Sequence, residues 1–435
     1  MPKVAFYTLG CKVNQYETDA MMGLFKSKGY EIVDFEDTAD VYIINTCTVT
    51  GEGARKSRQI IRRAVKKNPE AVIAVVGCYA QISPEKVIDI PGVDVIVGTN
   101  NKSRIVELVE QSRKSSLPLI HVNDIKKETE FEEISPYLYR GRTRAFLKIQ
   151  EGCNQFCSYC IIPYARGPIR SRDPERILEE AYKLAEQGFK EIVLTGINLG
   201  AYGKDLDEHS INLEDIIKII CPIQGIERIR LSSIEPTEIT ENLIEAIKKY
   251  YKVCNHLHIP LQSGSLDILE KMNRPYTPDE YKRIINRVRE EIPDVSITTD
   301  IMVGFPGETH YHFEETLRFV KEITFSRIHV FKYSRRPGTP AASFSNQVPA
   351  KEKELRSQTL MKLAHLQEID YYKAFIGRNL KVLVEQEFKG VNGFLEGYTD
   401  NYIPVCLKGD LSLQGEIVAV KLLEIKDKYV LGERM

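Results

Sequence analysis

Three cysteines crowd the segment Glu151-Gly-Cys-Asn-Gln-Phe-Cys-Ser-Tyr-Cys, with three and then two residues between Cys153, Cys157 and Cys160. So compact a loop aims three thiolates at one centre, and thiolate sulfur suits the iron of a [4Fe-4S] cluster. A fourth iron is then left without a protein ligand. The alternative is a structural zinc ion, but such sites close with four ligands. A second trio is scattered. Cys11 follows Val-Ala-Phe-Tyr-Thr-Leu-Gly, Cys47 follows Val-Tyr-Ile-Ile-Asn-Thr, and Cys78 follows Ala-Val-Val-Gly. Each ends an apolar run that reads as a strand. In a parallel sheet the strand C-termini line one edge, where ligands bind, so three thiols distant in sequence meet there and a second cluster fits them. The alternative is three small buried hydrophobes. Gly10 and Gly77 precede two of these cysteines and suit tight strand-to-loop turns. Cys221, Cys254 and Cys406 lie in apolar stretches without a partner pattern and are assigned to packing.

The elements that must position these thiols follow from periodicity. Residues 1–113 alternate strand and helix: strands Val4–Leu9, Val41–Thr46, Ala71–Gly77 and Val93–Gly98, with helices Gln15–Lys28 and Ala54–Lys67. That alternation predicts an α/β, Rossmann-like parallel sheet. Residues 114–136 are polar, with little periodicity, and read as a linker. Over residues 137–372 strand–helix alternation resumes, with six strands beginning near Ala145, Glu191, Arg228, His256, Ser296 and Arg327. Six repeats predict a partial (β/α)6 barrel, with the triad loop after its first strand, at the mouth where barrel enzymes work. Residues 373–435 hold short strands between Gly, Asn and Asp turns, a small all-β barrel.

The 435 residues carry a formal net charge of −1, and 43% are apolar. A nucleic-acid partner must therefore be met by local basic patches. No run of about 18 apolar residues predicts a membrane span, and the start has no signal-peptide layout. A cytoplasmic protein is expected, with its nine cysteines kept from disulfides. Basic residues gather on Arg55, Lys56, Arg62 and Arg63, and around the triad on Arg140, Arg142, Arg144, Arg166, Arg170 and Arg172. These are candidate RNA contacts; a solvated helix face is the alternative for the first group. Tyr398 and Tyr402 are candidates for base stacking, or for ordinary aromatic packing.

The triad resembles the signature of the radical S-adenosylmethionine (SAM) enzymes, and Tyr159 matches that family's aromatic position beside the adenine. Leu9-Gly-Cys-Lys-Val-Asn, Asn45-Thr-Cys-Thr-Val-Thr and Val76-Gly-Cys-Tyr-Ala-Gln resemble motifs of the methylthiotransferases of that superfamily, as does Gly152 to Gly167. The last barrel is similar to the RNA-binding TRAM domain. Thr48-Val-Thr, Lys12-Val-Asn and Asn14-Gln-Tyr-Glu together resemble the bacterial threonylcarbamoyladenosine tRNA methylthiotransferases more than the isopentenyladenosine enzymes or those acting on a ribosomal-protein aspartate.

The resemblance implies two [4Fe-4S] clusters, with Cys11, Cys47, Cys78, Cys153, Cys157 and Cys160 as ligands and catalytic groups. It implies two SAM molecules per product, a tRNA anticodon stem-loop as substrate, a flavodoxin- or ferredoxin-like electron donor, a sulfur donor and a monomeric enzyme. An unactivated aromatic C–H bond lies beyond side-chain acids and bases, so a cofactor must supply the radical. Strand C-ends of the core nominate Thr195, Gly196, Asn198, Ser232, Gln262, Ser263, Asp300 and Phe331 for SAM. Plain turn chemistry is the alternative for all but Gly196, which the resemblance favours as functional.

Overall fold

The computed structural model describes residues 1–115, 117–136, 142–206 and 211–435. The chain divides into two compact units. The first gathers residues 1–140, 150–172 and 334–342; the second gathers residues 141–149, 173–333 and 343–435.

The first unit is built on six parallel strands: β1 (Lys3–Thr8), β2 (Glu31–Val33), β3 (Val41–Thr46), β4 (Val72–Gly77), β5 (Val95–Val97) and β6 (Leu119–His121). Their order is β2-β1-β3-β4-β5-β6. All six residues of β3 are buried, as expected where helices cover both faces of a parallel sheet. Alternate strand residues feed two cores. Ala5, Tyr42, Ile44, Ile73 and Val75 pack with Ala54 and Ile61 of helix Gly51–Lys67. Val4, Phe6, Ile43, Ala74 and Val76 pack with Met21 and Phe25 of helix Lys12–Ser27 and with Ile105 and Leu108 of helix Ile105–Ser112. The first of these helices is capped by Thr50, whose hydroxyl accepts from the Gly53 amide at 3.0 Å, an arrangement that satisfies one of the orphan donors of a helix N-terminus.

The segment read as a linker, residues 114–136, is a correction. Leu119–His121 is the edge strand β6, paired to β5 from Val95↔Leu119 to Val97↔His121. Ile125 is buried in a turn of 3-10 helix, Ile125–Lys127. A three-residue strand is too short to show a period, so polar composition concealed it. Also in this unit, Gln150–Glu151 pairs antiparallel with Arg170–Ser171 and closes the base of the triad loop.

In the second unit six parallel strands run in chain order: Arg144–Lys148, Glu191–Thr195, Arg228–Leu231, His256–His258, Ser296–Val303 and Arg327–Lys332. Bridges Ile229↔Val253 and Ser233↔His258 join the two halves of this curved sheet, the expected partial barrel. Helices between the strands start on clear signals. Asp173 caps Pro174–Glu186, with proline in the first turn, and Thr277 with Glu280 forms a capping box on Pro278–Glu291. The long helix Ala350–Lys373 leads into a closed five-stranded barrel: Asn379–Glu387, Phe394–Thr399, Pro404–Lys408, Ile417–Lys426 and Tyr429–Arg434. Among the described residues no helix is long and apolar enough to cross a membrane.

Candidate functional site

Cys47 directly follows β3, Cys78 directly follows β4, and Cys11 lies three residues beyond β1. These strands are neighbours, with Thr8 opposite Asn45 and Thr46 opposite Gly77. The three thiols therefore arrive at one edge of the sheet, as strand reading predicts. The turns that bring them there need glycine. Gly10 has φ +107°, and a Cβ on it would meet the Cys47 sulfur at 3.3 Å. Gly77 has φ +92°, and its Cβ would stand 2.4 Å from Asn45 Oδ1. Asn14 staples two of the turns, its Nδ2 donating to the carbonyls of Leu9 at 2.6 Å and Thr46 at 3.0 Å.

Burial pushes the Cys78 thiol up to about 11, against the pull of Arg166, and the charges of Cys47 and Cys11 add to the rise. Burial also raises Cys47, which feels Cys11, Arg166 and Arg336. The trio is thus electrostatically one site, and protons must leave it when a metal binds. Among the described residues no three His, Cys, Asp or Glu side chains gather tightly enough for a single ion. A cluster spaces its ligands more widely, one thiolate to each iron, and an all-sulfur donor set of three suits it.

The triad loop is shaped by backbone. The Cys153 amide donates to the Gly167 carbonyl at 3.0 Å and the Cys160 amide to that of Cys157 at 2.9 Å. The Gln155 amide points at the Cys153 sulfur, 3.4 Å away. Gly152, at φ +72°, leaves no room for a side chain: a Cβ would stand 1.8 Å from the Pro168 carbonyl oxygen. Cys157 is buried, while Cys153, Tyr159 and Cys160 are half-buried. None of the nine cysteines is in a disulfide. Cys221, Cys254 and Cys406 are buried, in keeping with packing.

The arginines around the triad are corrected. Arg166 is fully buried. Its Nε donates to the Cys78 sulfur at 3.3 Å, Nη1 to Glu17 at 2.5 Å and Glu151 at 3.0 Å, and Nη2 to Asn14 Oδ1 at 2.5 Å. Arg170 donates to the carbonyls of Arg166 at 3.0 Å and Glu128 at 3.3 Å. Arg172 binds Glu133, Ser135 and the Tyr16 hydroxyl. All three are enclosed and do not present their charge to RNA. Arg142 is half-buried over the Phe146 ring, and Arg140 lies outside the described residues. Arg55, Lys56, Arg62 and Arg63 do stand exposed along one helix; Arg55 pairs with Glu52 and Arg63 with Glu36.

Tyr398 and Tyr402 are also corrected. Their rings stack on each other at 5.1 Å, and Tyr402 stacks on His256 at 4.8 Å. Arg230 and Arg144 cover Tyr402, and Arg144 also covers Tyr398. Around them, Arg228 donates to the carbonyls of Lys381 and Tyr398, and Arg230 to those of Thr399 and Asp400. These tyrosines anchor the small barrel to the N-terminal ends of the core strands and are not open stacking platforms.

Of the residues nominated for SAM, Thr195, Asn198 and Ser232 lie buried at or just past strand C-ends, beside the half-buried Gly196. The Ser232 hydroxyl is enclosed and has no hydrogen-bond partner among the described residues, which fits a polar ligand at that mouth. Gln262 holds φ +65°, a strained setting for a non-glycine residue. Asp300 faces His258 at 3.4 Å. Phe331 is 45% exposed on the last core strand. The Ser263 hydroxyl is 3.3 Å from Thr316 Oγ1 and accepts from the Ser265 amide, bonds of the kind turn chemistry expects.

Sequence reading missed Glu17, Lys102, Glu151 and Arg336. Glu17, Lys102, Glu151 and Arg166 form a buried charge cluster, and Arg336 donates to Thr48 Oγ1 at 2.5 Å. The one available signal was Asn14-Gln-Tyr-Glu, three of whose four residues hold Arg166 or Arg172.

Three segments of the chain match known families. Residues 147–320 match the radical SAM superfamily, residues 3–98 the uncharacterized protein family UPF0004, and residues 373–434 the TRAM domain. The chain is 46% identical over 435 residues to threonylcarbamoyladenosine tRNA methylthiotransferase MtaB of Bacillus subtilis, covering 100% of this chain and 96% of the relative. It is 43% identical to the protein of that name from Aquifex aeolicus, over 94% of this chain and 97% of the other. It is 39% identical to tRNA-2-methylthio-N(6)-dimethylallyladenosine synthase of Clostridium tetani, over 98% and 95%. In fold it is similar to the radical SAM methyltransferase TsrM of Kitasatospora setae, with a TM-score of 0.60, 16% identity, and 79% and 77% of the two chains covered.

Proposed function

The chain belongs to the radical SAM tRNA methylthiotransferases, and from that premise we propose that it adds a methylthio group to C2 of threonylcarbamoyladenosine just 3′ of the anticodon. The observation that carries the substrate is full-length identity of 46% to the Bacillus subtilis protein of that activity. A second reading, action on dimethylallyladenosine, is favoured by the 39% identity to the Clostridium tetani enzyme.

Two clusters serve this chemistry. Cys153, Cys157 and Cys160 hold the one that engages SAM, and Cys11, Cys47 and Cys78 hold the auxiliary one. Bound together, these groups and two SAM molecules supply the 5′-deoxyadenosyl radical and the methylated sulfur. The chain's own part is positional. Gly10 and Gly77 turn the strand ends so that the thiols converge. Gly152 lets the triad loop fold tightly on its own backbone. Ser232 offers a hydroxyl to the SAM ribose or methionine group, beside Thr195, Gly196 and Asn198; Tyr159, Gln262, Asp300 and Phe331 are further candidate contacts. Exposed Arg55, Lys56, Arg62 and Arg63 provide positive charge for the anticodon stem-loop. A flavodoxin- or ferredoxin-like donor supplies electrons, a separate donor supplies sulfur, and the enzyme works as a cytoplasmic monomer.

Nucleosides from a deletion strain, analysed by mass spectrometry, test the substrate. Loss of 2-methylthio-threonylcarbamoyladenosine, restored by the gene but not by a Cys47→Ala form, is expected. Unchanged levels, with loss of the dimethylallyl product instead, would transfer the function to the second reading.

A further inference from the structure

Arg166 has five N–H groups, and five hydrogen bonds account for them. Nε reaches the Cys78 sulfur, Nη1 reaches Glu17 and Glu151, and Nη2 reaches Asn14 and the second oxygen of Glu17 at 3.1 Å. Three of these four partners are a cluster cysteine or bear on the placing of one. Cys78 belongs to the scattered trio. Asn14 ties down the turns that carry Cys11 and Cys47. Glu151 lies two residues before Cys153, and Arg166 itself follows Cys160 by six. One side chain therefore touches the supports of both trios.

The charges say more than the geometry. Lys102 and Arg166 balance Glu17 and Glu151 in a fully enclosed group, with Lys102 3.3 Å from Glu17. A clamp alone would be complete with those four. The Nε–H bond to sulfur satisfies the last buried donor of the arginine and at the same time places a hydrogen-bond donor on a cluster ligand. Donors to ligand sulfur, like nearby charge, set the reduction potential of an iron–sulfur cluster. Lysine cannot substitute, because it offers three donors from a single point.

We propose that Arg166 is a positioning residue that joins the two cysteine trios and, as a hydrogen-bond donor to Cys78, raises the reduction potential of the auxiliary cluster. The proposal rests on the two-cluster reading above. Its test uses the full chain with Cys153, Cys157 and Cys160 all replaced by Ala, so that only the auxiliary cluster can remain. Into this parent go Arg166→Lys, and separately Arg166→Gln with Glu17→Gln, which keeps the buried group neutral should the first variant fail to fold. Iron content, circular dichroism and an EPR-monitored redox titration are measured for each. The parent should hold about four irons per chain, and a variant that folds as judged by circular dichroism should either titrate at a more negative potential or lose its iron. A folded variant with full iron and the parent's potential overturns the role of Arg166. A parent without iron overturns the two-cluster reading itself, and the proposal with it, whatever the arginine does.

Discussion

Gly77 shows how finely single residues place the auxiliary thiols. It sits at φ +92° between β4 and Cys78, and a Cβ there would lie 2.4 Å from Asn45 Oδ1 and 2.9 Å from the Thr46 carbonyl oxygen. Neither neighbour is free to move: Asn45 is buried and bonds the Asn14 carbonyl and Thr18 through Nδ2, and Thr46 belongs to the central strand. Gly77→Ala should therefore cost more than about 1 kcal/mol, beyond the usual penalty for leaving the left-handed region. It should also lower the iron content by displacing Cys78. Thermal unfolding checks the first expectation, and a melting point equal to that of the parent would contradict it. Gly77 was legible in the sequence because a glycine before a strand-end cysteine has few other reasons to exist. Arg166 was not. An arginine among other arginines near a cluster loop reads as a phosphate contact, and its burial depends on Glu17 and Asn14, far away in the chain.

At the scale of elements, the N-terminal ends of three core strands carry a lock of charges. Glu191 accepts from Arg230 Nε at 2.7 Å and pairs with Arg228 at 3.5 Å and Arg144 at 3.9 Å. The arginines in turn hold backbone carbonyls of the small barrel and Glu385. Burial alone would raise the Glu191 carboxyl, but Arg230 and Arg144 hold it down to about 2. The sign follows directly. The folded value lies below the ordinary glutamate value of about 4.3, so the contribution is complete above that pH and drains away as pH falls towards 2. It amounts to about 3 kcal/mol. Glu385, raised by burial, acts in the opposite sense, so the informative quantity is the difference made by Glu191 alone. Glu191→Gln should be less stable at pH 7, because buried Arg228 and Arg230 lose their carboxylate partner, and should lose less stability than the parent between pH 4.5 and 3. Urea titrations of the iron-free proteins at those three values would show it; parallel losses would refute it. The strand repeats themselves were legible, since apolar runs and caps recur at helix–strand spacing. The lock was not, because charged residues opening a strand look like solvent-facing ends until another domain covers them.

Across the whole molecule, sequence order and compact units disagree. The triad loop, residues 150–172, belongs with the amino-terminal sheet, together with residues 334–342. Periodicity cannot reveal this, because it reads each element against its neighbours in the chain and not against what folds onto it later. The disagreement has a measurable consequence. A fragment ending at Pro136 keeps all six strands of the sheet and Cys11, Cys47 and Cys78. It lacks Arg166 and Glu151, so Cys78 loses its donor and the buried Glu17 loses its arginine while keeping Lys102. It also lacks Arg336, which bonds Thr48 beside Cys47. The net charge of the buried group would be unchanged, because one cation and one anion leave together, but the acceptors of Asn14 and Glu17 would be left short of partners at a cost of about 1–3 kcal/mol each. The fragment should therefore unfold well below the full chain and bind substoichiometric iron after anaerobic reconstitution, while the full chain with its triad replaced keeps about four irons. A fragment that retains a full cluster and melts with the whole protein would mean that the auxiliary site needs only the sheet that presents its thiols.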